Sequence, residues 1–253
     1  MDKLSLYTKM FCVEYGDSDY YKRLKLSSLF NYLQYISSLH SKNLGVGIDD
    51  IEEEHGLAWV MARIMIDVIK MPIWNDELYI ETWPIRPKKL EFERDYRVKD
   101  KDGNVLINAI SSWVLLDIEK REIAKTDSVN IGFPPFIEQR AIDKRMAKLK
   151  PNGNSIFVYN KKIGYSEIDI NGHLNNSKYI DFIADCFSIE MHSTYLVENI
   201  QVNYINEALA GETISLYKDI SELESGNLYV EGINEEQNKI YFKSCIHLGG
   251  QNE

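Results

Sequence analysis

The sequence predicts an α+β protein built from two tandem copies of one unit, each a helix on an antiparallel sheet. Two internal repeats and one pattern of alternation carry this. The segment VEYGDSDYYKRLKLSSLFNYL (13–33) lies over IGYSEIDINGHLNNSKYIDFI (163–183) at an offset of 150, pairing Tyr15 with Tyr165, Asp19 with Asp169 and Leu24 with Leu174. RIMIDVIKMPIWNDEL (63–78) lies over NIQVNYINEALAGETI (199–214) at an offset of 136, pairing Asp76 with Glu212. The two matches come in the same order, the mark of a duplicated fold. Between and after them run segments of period-2 alternation, which half-buried strands require.

The elements follow in order. A strand ends near Tyr15 or Tyr165. A helix comes next, with Leu26, Leu29, Phe30, Leu33 and Ile36 at helical spacing in the first half and Tyr179, Ile180, Ile183 and Phe187 in the second. Asn175 or Asn176 supplies the second helix with an N-cap. Strands are expected over 57–69, 77–84, 91–99 and 104–118, then over 195–205, 212–219, 227–233 and 239–247. In the last of these Ile240, Phe242 and Ile246 alternate with Tyr241, Lys243 and His247, the latter set facing outward. Asp102-Gly103 reads as a hairpin turn. The run DKDGN that contains it begins like a calcium loop, but Ser111 stands where the twelfth-position glutamate would be needed. The boundaries are residues 1–128 for the first unit, 129–154 for a Pro/Gly-punctuated linker with a charged helical candidate, and 155–253 for the second.

At 253 residues a chain can bury roughly 70–75% of its unfolded surface. No apolar window is long enough for a membrane span or a signal peptide, so a cytoplasmic protein is expected. Cys12, Cys186 and Cys245, odd in number and widely spaced, fit neither a disulfide framework nor a metal cluster. The formal charge of −10 argues against a nucleic-acid partner. It also means that an acidic partner would need a local basic patch. Arg86, Lys88, Lys89, Arg94 and Arg97 are one candidate; Lys144, Arg145, Lys148 and Lys150 are the other.

The densest polar cluster is DINGHLNN (169–176), at the strand-to-helix junction of the second half. Asp, Asn and Gly build turns for local reasons alone. The sister half, however, makes the same junction with Tyr21 in place of Asn171 and Arg23 in place of His173. A turn therefore requires neither the amide nor the imidazole. Glu207, after the run VNYIN, similarly has Met71 as its counterpart. No Gly-x-Ser-x-Gly elbow and no phosphate loop occurs, and the other histidines are isolated in sequence.

TWP and RDY in the first half, with D-x-N-x-H-x-N-N in the second, give the chain its family likeness: it resembles the acyl-acyl-carrier-protein thioesterases, in the bacterial form, over almost its whole length. The resemblance implies two fused hotdog folds, each a long helix wrapped by an antiparallel sheet. It implies hydrolysis of fatty-acyl-acyl-carrier-protein thioesters to free fatty acid, with an acyl carrier protein as partner, no cofactor and no metal. By the same resemblance the catalytic residues are Asp169, Asn171, His173 and Glu207. The resemblance further implies that the first half forms much of the acyl pocket, with Leu29, Leu33, Ile36, Met61, Ile64 and Ile66 bearing on chain length. An older Cys-His-Asn picture of the family needs a cysteine after the glutamate, where this chain has Ala208. An acyl-coenzyme A thioesterase and a non-catalytic acyl-binding protein are the alternatives, and a homodimer is left open.

Overall fold

The computed structural model describes residues 2–251, with the side chain of Gln251 left aside. The chain divides into two compact units. The first is drawn from the residues up to Lys25 and from Asn31–Arg145, the second from Leu26–Phe30 and the residues from Met146 onward.

The first sheet comprises β1 (Tyr7–Cys12), β2 (Leu57–Val68), β3 (Glu77–Pro84), β4 (Phe92–Lys99), β5 (Val105–Asp117) and the short β6 (Ile123–Ala124). All pairings are antiparallel, in the order β1-β3-β4-β5-β2, with β6 on β5. The second sheet comprises β7 (Ile156–Lys162), β8 (Tyr195–Tyr204), β9 (Thr213–Asp219), β10 (Asn227–Asn234) and β11 (Lys239–Gln251). Its order is β7-β9-β10-β11-β8, the same topology strand for strand. The β1 and β7 strands end near Tyr15 and Tyr165 as expected, at Cys12 and Lys162, and Tyr15–Asp17 and Tyr165–Glu167 each form a 3-10 turn.

Helix α1 (Leu26–Asn43) buries Leu29, Phe30, Leu33 and Ile36 completely, and each such side chain contributes about 1.5–3 kcal/mol of transfer free energy. It stops where Gly45 takes a φ of +75°, a left-handed conformation that costs glycine little. A second helix, α2 (Ile48–His55), has no counterpart in the sequence reading; Ile51 anchors it against Leu44, Val46, Leu57 and Leu115. In the second unit Asn175 caps α3 (Asn176–Ala184), accepting from the Ser177 N–H at 2.9 Å. This helix is half the length of α1 and does not reach Phe187. Ser188 instead starts α4 (Ile189–Thr194), accepting from the Met191 N–H.

Both sheets carry the same irregularity. Between Val98↔Ile107 and Lys99↔Val105 the register leaves Leu106 over, and between Gly232↔Phe242 and Ile233↔Ile240 it leaves Tyr241 over. An extra residue on one strand bends it and breaks the alternation. Tyr241, expected to face outward, is therefore completely buried next to buried Phe242.

The stretch 129–154 contains neither strand nor the expected charged helix. Buried anchors hold it instead. Val129 and Ile131 join the α2 cluster, and the Asp95 carboxylate accepts from Arg140 Nε at 3.0 Å and from the Ala141 N–H at 2.7 Å. In the second unit the Asp219 carboxylate accepts from the N–H groups of Asn152 and Gly153. No helix among the described residues is long and apolar enough to cross a membrane.

The interior of the first unit contains a cation. Arg94 is 8% exposed, which removes it from the first basic patch proposed above. Its Nη1 donates to His40 Nδ1 at 2.9 Å, while His40 Nε2 donates to the Leu4 carbonyl at 2.8 Å. Both ring nitrogens are thereby used by the neutral tautomer. Burial, reinforced by the Arg94 charge, lowers the His40 pKa from 6.5 to about 4. A folded-state pKa below the unfolded one means that the unfolded chain binds the extra proton. The stability His40 contributes is therefore complete above pH 6.5 and lost as pH falls toward 4. The expected cost at pH 4.5 is roughly 2–3 kcal/mol. Denaturant unfolding at pH 7 and pH 4.5 checks it: in His40→Gln the difference between the two pH values should shrink by that amount.

Candidate active site

The DINGHLNN segment folds as a loop organised by one carboxylate. Asp169 Oδ1 accepts from the N–H of Asn171 at 2.9 Å and of His173 at 3.3 Å. The Asp169 N–H donates to the His173 carbonyl at 2.8 Å, and Gly172, at φ +79°, closes the turn with its N–H on the Asp169 carbonyl. Glu167 and Asn175 clasp the base of the loop through the bond from Asn175 N–H to the Glu167 carbonyl, 2.9 Å. Local hydrogen bonding thus brings the histidine to the N-terminal side of α3.

Glu207 arrives from the end of β8. The carbonyl of the bulged Tyr241 accepts from both Ile205 and Asn206 N–H, and Asn206 Nδ2 donates to the Ile240 carbonyl at 2.7 Å. The next residues are tied to the loop. Leu174 N–H donates to the Ala208 carbonyl at 2.9 Å, and His173 forms a bridge with Leu209. Glu212, paired with Asp76 in the repeat, accepts from the Leu209 N–H at 2.7 Å. The sequence reading gave Glu212 no role, although its repeat partner signals one: Asp76 accepts from the Ile73 N–H at 2.9 Å in the same way. The outcome is His173 Nε2 3.3 Å from Glu207 Oε2, with each side chain about 30% exposed.

Of the four candidate residues, His173 and Glu207 are brought together side chain to side chain. Asp169 meets Asn171 and His173 through their main-chain N–H groups. The Asn171 side chain is exposed and makes no hydrogen bond among the described residues. Ala208 is completely buried. Burial raises the Cys186 thiol to about 12 and the Cys245 thiol to about 11, so neither supplies a thiolate at neutral pH. A cavity of about 190 Å³ lined by Asn152, Asn227, Cys245 and His247 contains none of the four residues. Among the described residues no three His, Cys, Asp or Glu side chains converge as a metal site.

The first unit repeats this backbone without its chemistry. Asp19 Oδ1 accepts from the N–H groups of Tyr21 and Arg23, both at 2.8 Å, and Leu24 N–H donates to the Pro72 carbonyl at 2.8 Å. Arg23 folds back onto Asp19, Nη2 to Oδ2 at 2.9 Å, and Met71 occupies the position of Glu207. A partly exposed imidazole and carboxylate in contact, on one unit only, form the kind of pair that general acid–base chemistry uses.

The family model for the acyl-ACP thioesterase N-terminal domain matches residues 5–129, and that for the acyl-ACP thioesterase C-terminal domain matches residues 154–253. The chain is 25% identical over 267 residues to oleoyl-acyl carrier protein thioesterase 1, chloroplastic, of Arabidopsis thaliana, covering 98% of this chain and 73% of the relative. An acyl-ACP thioesterase crystal structure from Bacteroides thetaiotaomicron superimposes with a TM-score of 0.88 at 26% identity, over 97% of this chain and 98% of that one. The 12:0-ACP thioesterase from Umbellularia californica shares the fold, with a TM-score of 0.84 at 19% identity over 97% of each chain. The two units are hotdog folds.

If His173 transfers the proton, His173→Ala lowers turnover by about 10² or more. Arg23→Ala, at the equivalent position of the first unit, leaves turnover near wild type. Thiol release from an acyl thioester by the two folded variants measures both.

Proposed function

The chain belongs to the acyl-ACP thioesterase family, and from that premise we propose how its second unit hydrolyses a fatty-acyl-acyl-carrier-protein thioester to free fatty acid and holo-carrier protein. The contact between His173 Nε2 and Glu207 carries the reading. With Nε2–H turned to the carboxylate, the Nδ1 lone pair is the basic position of the ring. It takes a proton from water as the water oxygen attacks the thioester carbonyl carbon. Glu207 fixes this tautomer and stabilises the imidazolium that forms, the task of the acid in a nucleophile-His-acid arrangement. The tetrahedral intermediate then collapses, the C–S bond breaks, and the imidazolium returns the proton to the departing sulfur. Asn171, whose amide makes no hydrogen bond among the described residues, is assigned to bind the carbonyl oxygen or to orient the water. Asp169 is assigned to orient the loop, since its Oδ1 is occupied by two main-chain N–H groups.

The first unit, with Arg23 and Met71 in place of the ionisable pair, is assigned to hold the acyl chain, and the enzyme is proposed to be cytoplasmic. Two assays on one acyl chain test the overall reading. Thiol release should favour the carrier-protein ester over the coenzyme A ester. Preference for the coenzyme A ester would change the substrate, and ligand binding without thiol release would remove the enzyme.

Acyl carrier proteins are acidic, and the chain itself is at −10, so docking needs unpaired cations. In the first candidate patch Arg94 is buried, Lys88 and Arg86 pair with Glu93 and Glu138, and Arg97 is half-buried over the Trp83 ring, which leaves Lys89 as its one exposed cation without an acidic partner among the described residues. Lys144, Arg145, Lys148 and Lys150 are all exposed and have no acidic partner among the described residues. Docking is therefore assigned to 144–150. Lys144→Glu with Lys148→Glu should raise KM for the carrier-protein ester by about tenfold or more and blunt its salt dependence. KM for the coenzyme A ester of the same chain should stay within about twofold if the cations serve carrier-protein docking alone.

A further inference from the structure

We propose that Lys239 is a positioning residue for Glu207, an inference that rests on the assignment of His173 and Glu207 as the proton-handling pair. Lys239 is the first residue of β11, opposite Asn234 across the turn 235–238, where Asn238 takes a φ of +49°. Its Nζ donates to the main-chain carbonyl of Glu207 at 2.7 Å. The ammonium also lies 5.0 Å from the centre of the Tyr241 ring. Lys239 is half-buried; the Glu212 carboxylate is within electrostatic reach, but no acidic side chain forms an ion pair with it among the described residues. A strongly hydrated cation is thus directed to a backbone carbonyl, where a charge-assisted bond is about twice as strong as a neutral one.

The duplication supplies the control. The bulged residues Leu106 and Tyr241 correspond, since the Leu106 carbonyl accepts from Ile69 and Lys70 N–H as the Tyr241 carbonyl does from Ile205 and Asn206. Two positions before each bulge stand Asn104 and Lys239. Asn104 turns its Nδ2 to Asp100 at 2.9 Å, inside its own hairpin. Among the described residues the tie from the hairpin to the strand end therefore exists in the unit that has Glu207 and not in the unit that has Met71. Its effect is geometric. Neighbours of Glu207 are held from both sides, by Asn206 on Ile240 and by Ala208 on Leu174, and Lys239 fixes the peptide of Glu207 itself. A catalytic group displaced by about 1 Å can lose about 10² in rate, so an anchor on this peptide bears on turnover.

The experiment is a set of folded variants assayed for kcat and KM on one acyl-carrier-protein ester. Lys239→Met keeps the aliphatic stem over Tyr241 and removes the donor. It should lower kcat by about tenfold with KM within about twofold. Lys239→Arg, which retains a charged donor, should restore kcat to within about threefold of wild type. In a Glu207→Gln background, Lys239→Met should lower kcat by less than about twofold further, because residues acting through one group are non-additive. A Lys239→Met kcat within twofold of wild type, failure of arginine to rescue, or an undiminished effect in the Glu207→Gln background would overturn the proposal. Normal turnover of Glu207→Gln alone would instead overturn the pairing of His173 with Glu207, and Lys239's role with it.

Discussion

One main-chain hydrogen bond, from Leu174 N–H to the Ala208 carbonyl, holds the candidate site together. The residues it joins lie 34 apart in sequence, and on either side of it stand the residues whose side chains meet, His173 before Leu174 and Glu207 before Ala208. The bond depends in turn on two local devices. The Asp169 carboxylate sets the curvature of the loop, and the Tyr241 bulge turns the end of β8 away from the ladder. Without the bulge, the chain would carry Glu207 on along β11, because a regular strand keeps pairing until its register is broken. An irregularity in the sheet thus decides where a carboxylate meets an imidazole.

The sister bond, from Leu24 N–H to the Pro72 carbonyl, shows that this scaffold forms independently of the side chains mounted on it. Both units keep the aspartate, the left-handed residue (Lys22 at φ +60°, Gly172 at +79°) and the bulge. They differ in the side chains projected from equivalent backbone. In the first unit Arg23 neutralises Asp19 in an ion pair with 15% and 29% side-chain exposure, an inert arrangement. In the second no cation pairs with the aspartate among the described residues, and the histidine turns to Glu207. Arg94 contributes differently, as a buried cation held by neutral partners, and His40 must stay unprotonated to accept from it.

What could be read from the sequence followed from the range of the interactions involved. Strands such as 77–84 and 105–117 were legible because alternation is local, and so was the Asp102-Gly103 turn, where Gly103 takes a φ of +86°. The loop at 169–173 was legible because an aspartate capturing N–H groups two and four residues ahead is a short-range pattern. Tyr241 was misplaced because the bulge shifts the alternation by one residue, and the sequence carries no turn residue to announce it. The end of α3 was overrun because Phe187 keeps helical spacing with Ile183, while the cap that restarts the chain is the unremarkable Ser188. Arg94 looked like surface charge because burial of a cation is decided by partners on α1, more than fifty residues away. Glu207 had no local signal; it was found through the repeat and the family likeness.

Asp169 is where the duplication discriminates most sharply between roles. A carboxylate that attacks a thioester carbon must be free to form a bond, and it has a purpose only where the rest of the catalytic set is present. The first unit has no histidine at position 23 and no glutamate at position 71, yet it keeps Asp19 with the same two N–H groups on Oδ1, at 2.8 Å each. The feature shared by both aspartates is therefore the turn, not the reaction. Retention in a unit lacking the other groups is explained by the orphan N–H groups that the loop would otherwise leave unpaired, at a cost of about 1–3 kcal/mol for each that is buried. On this reasoning we propose that Asp169 orients the main chain that carries Asn171 and His173, which favours the proposed route through activated water over one through an acyl-aspartyl anhydride.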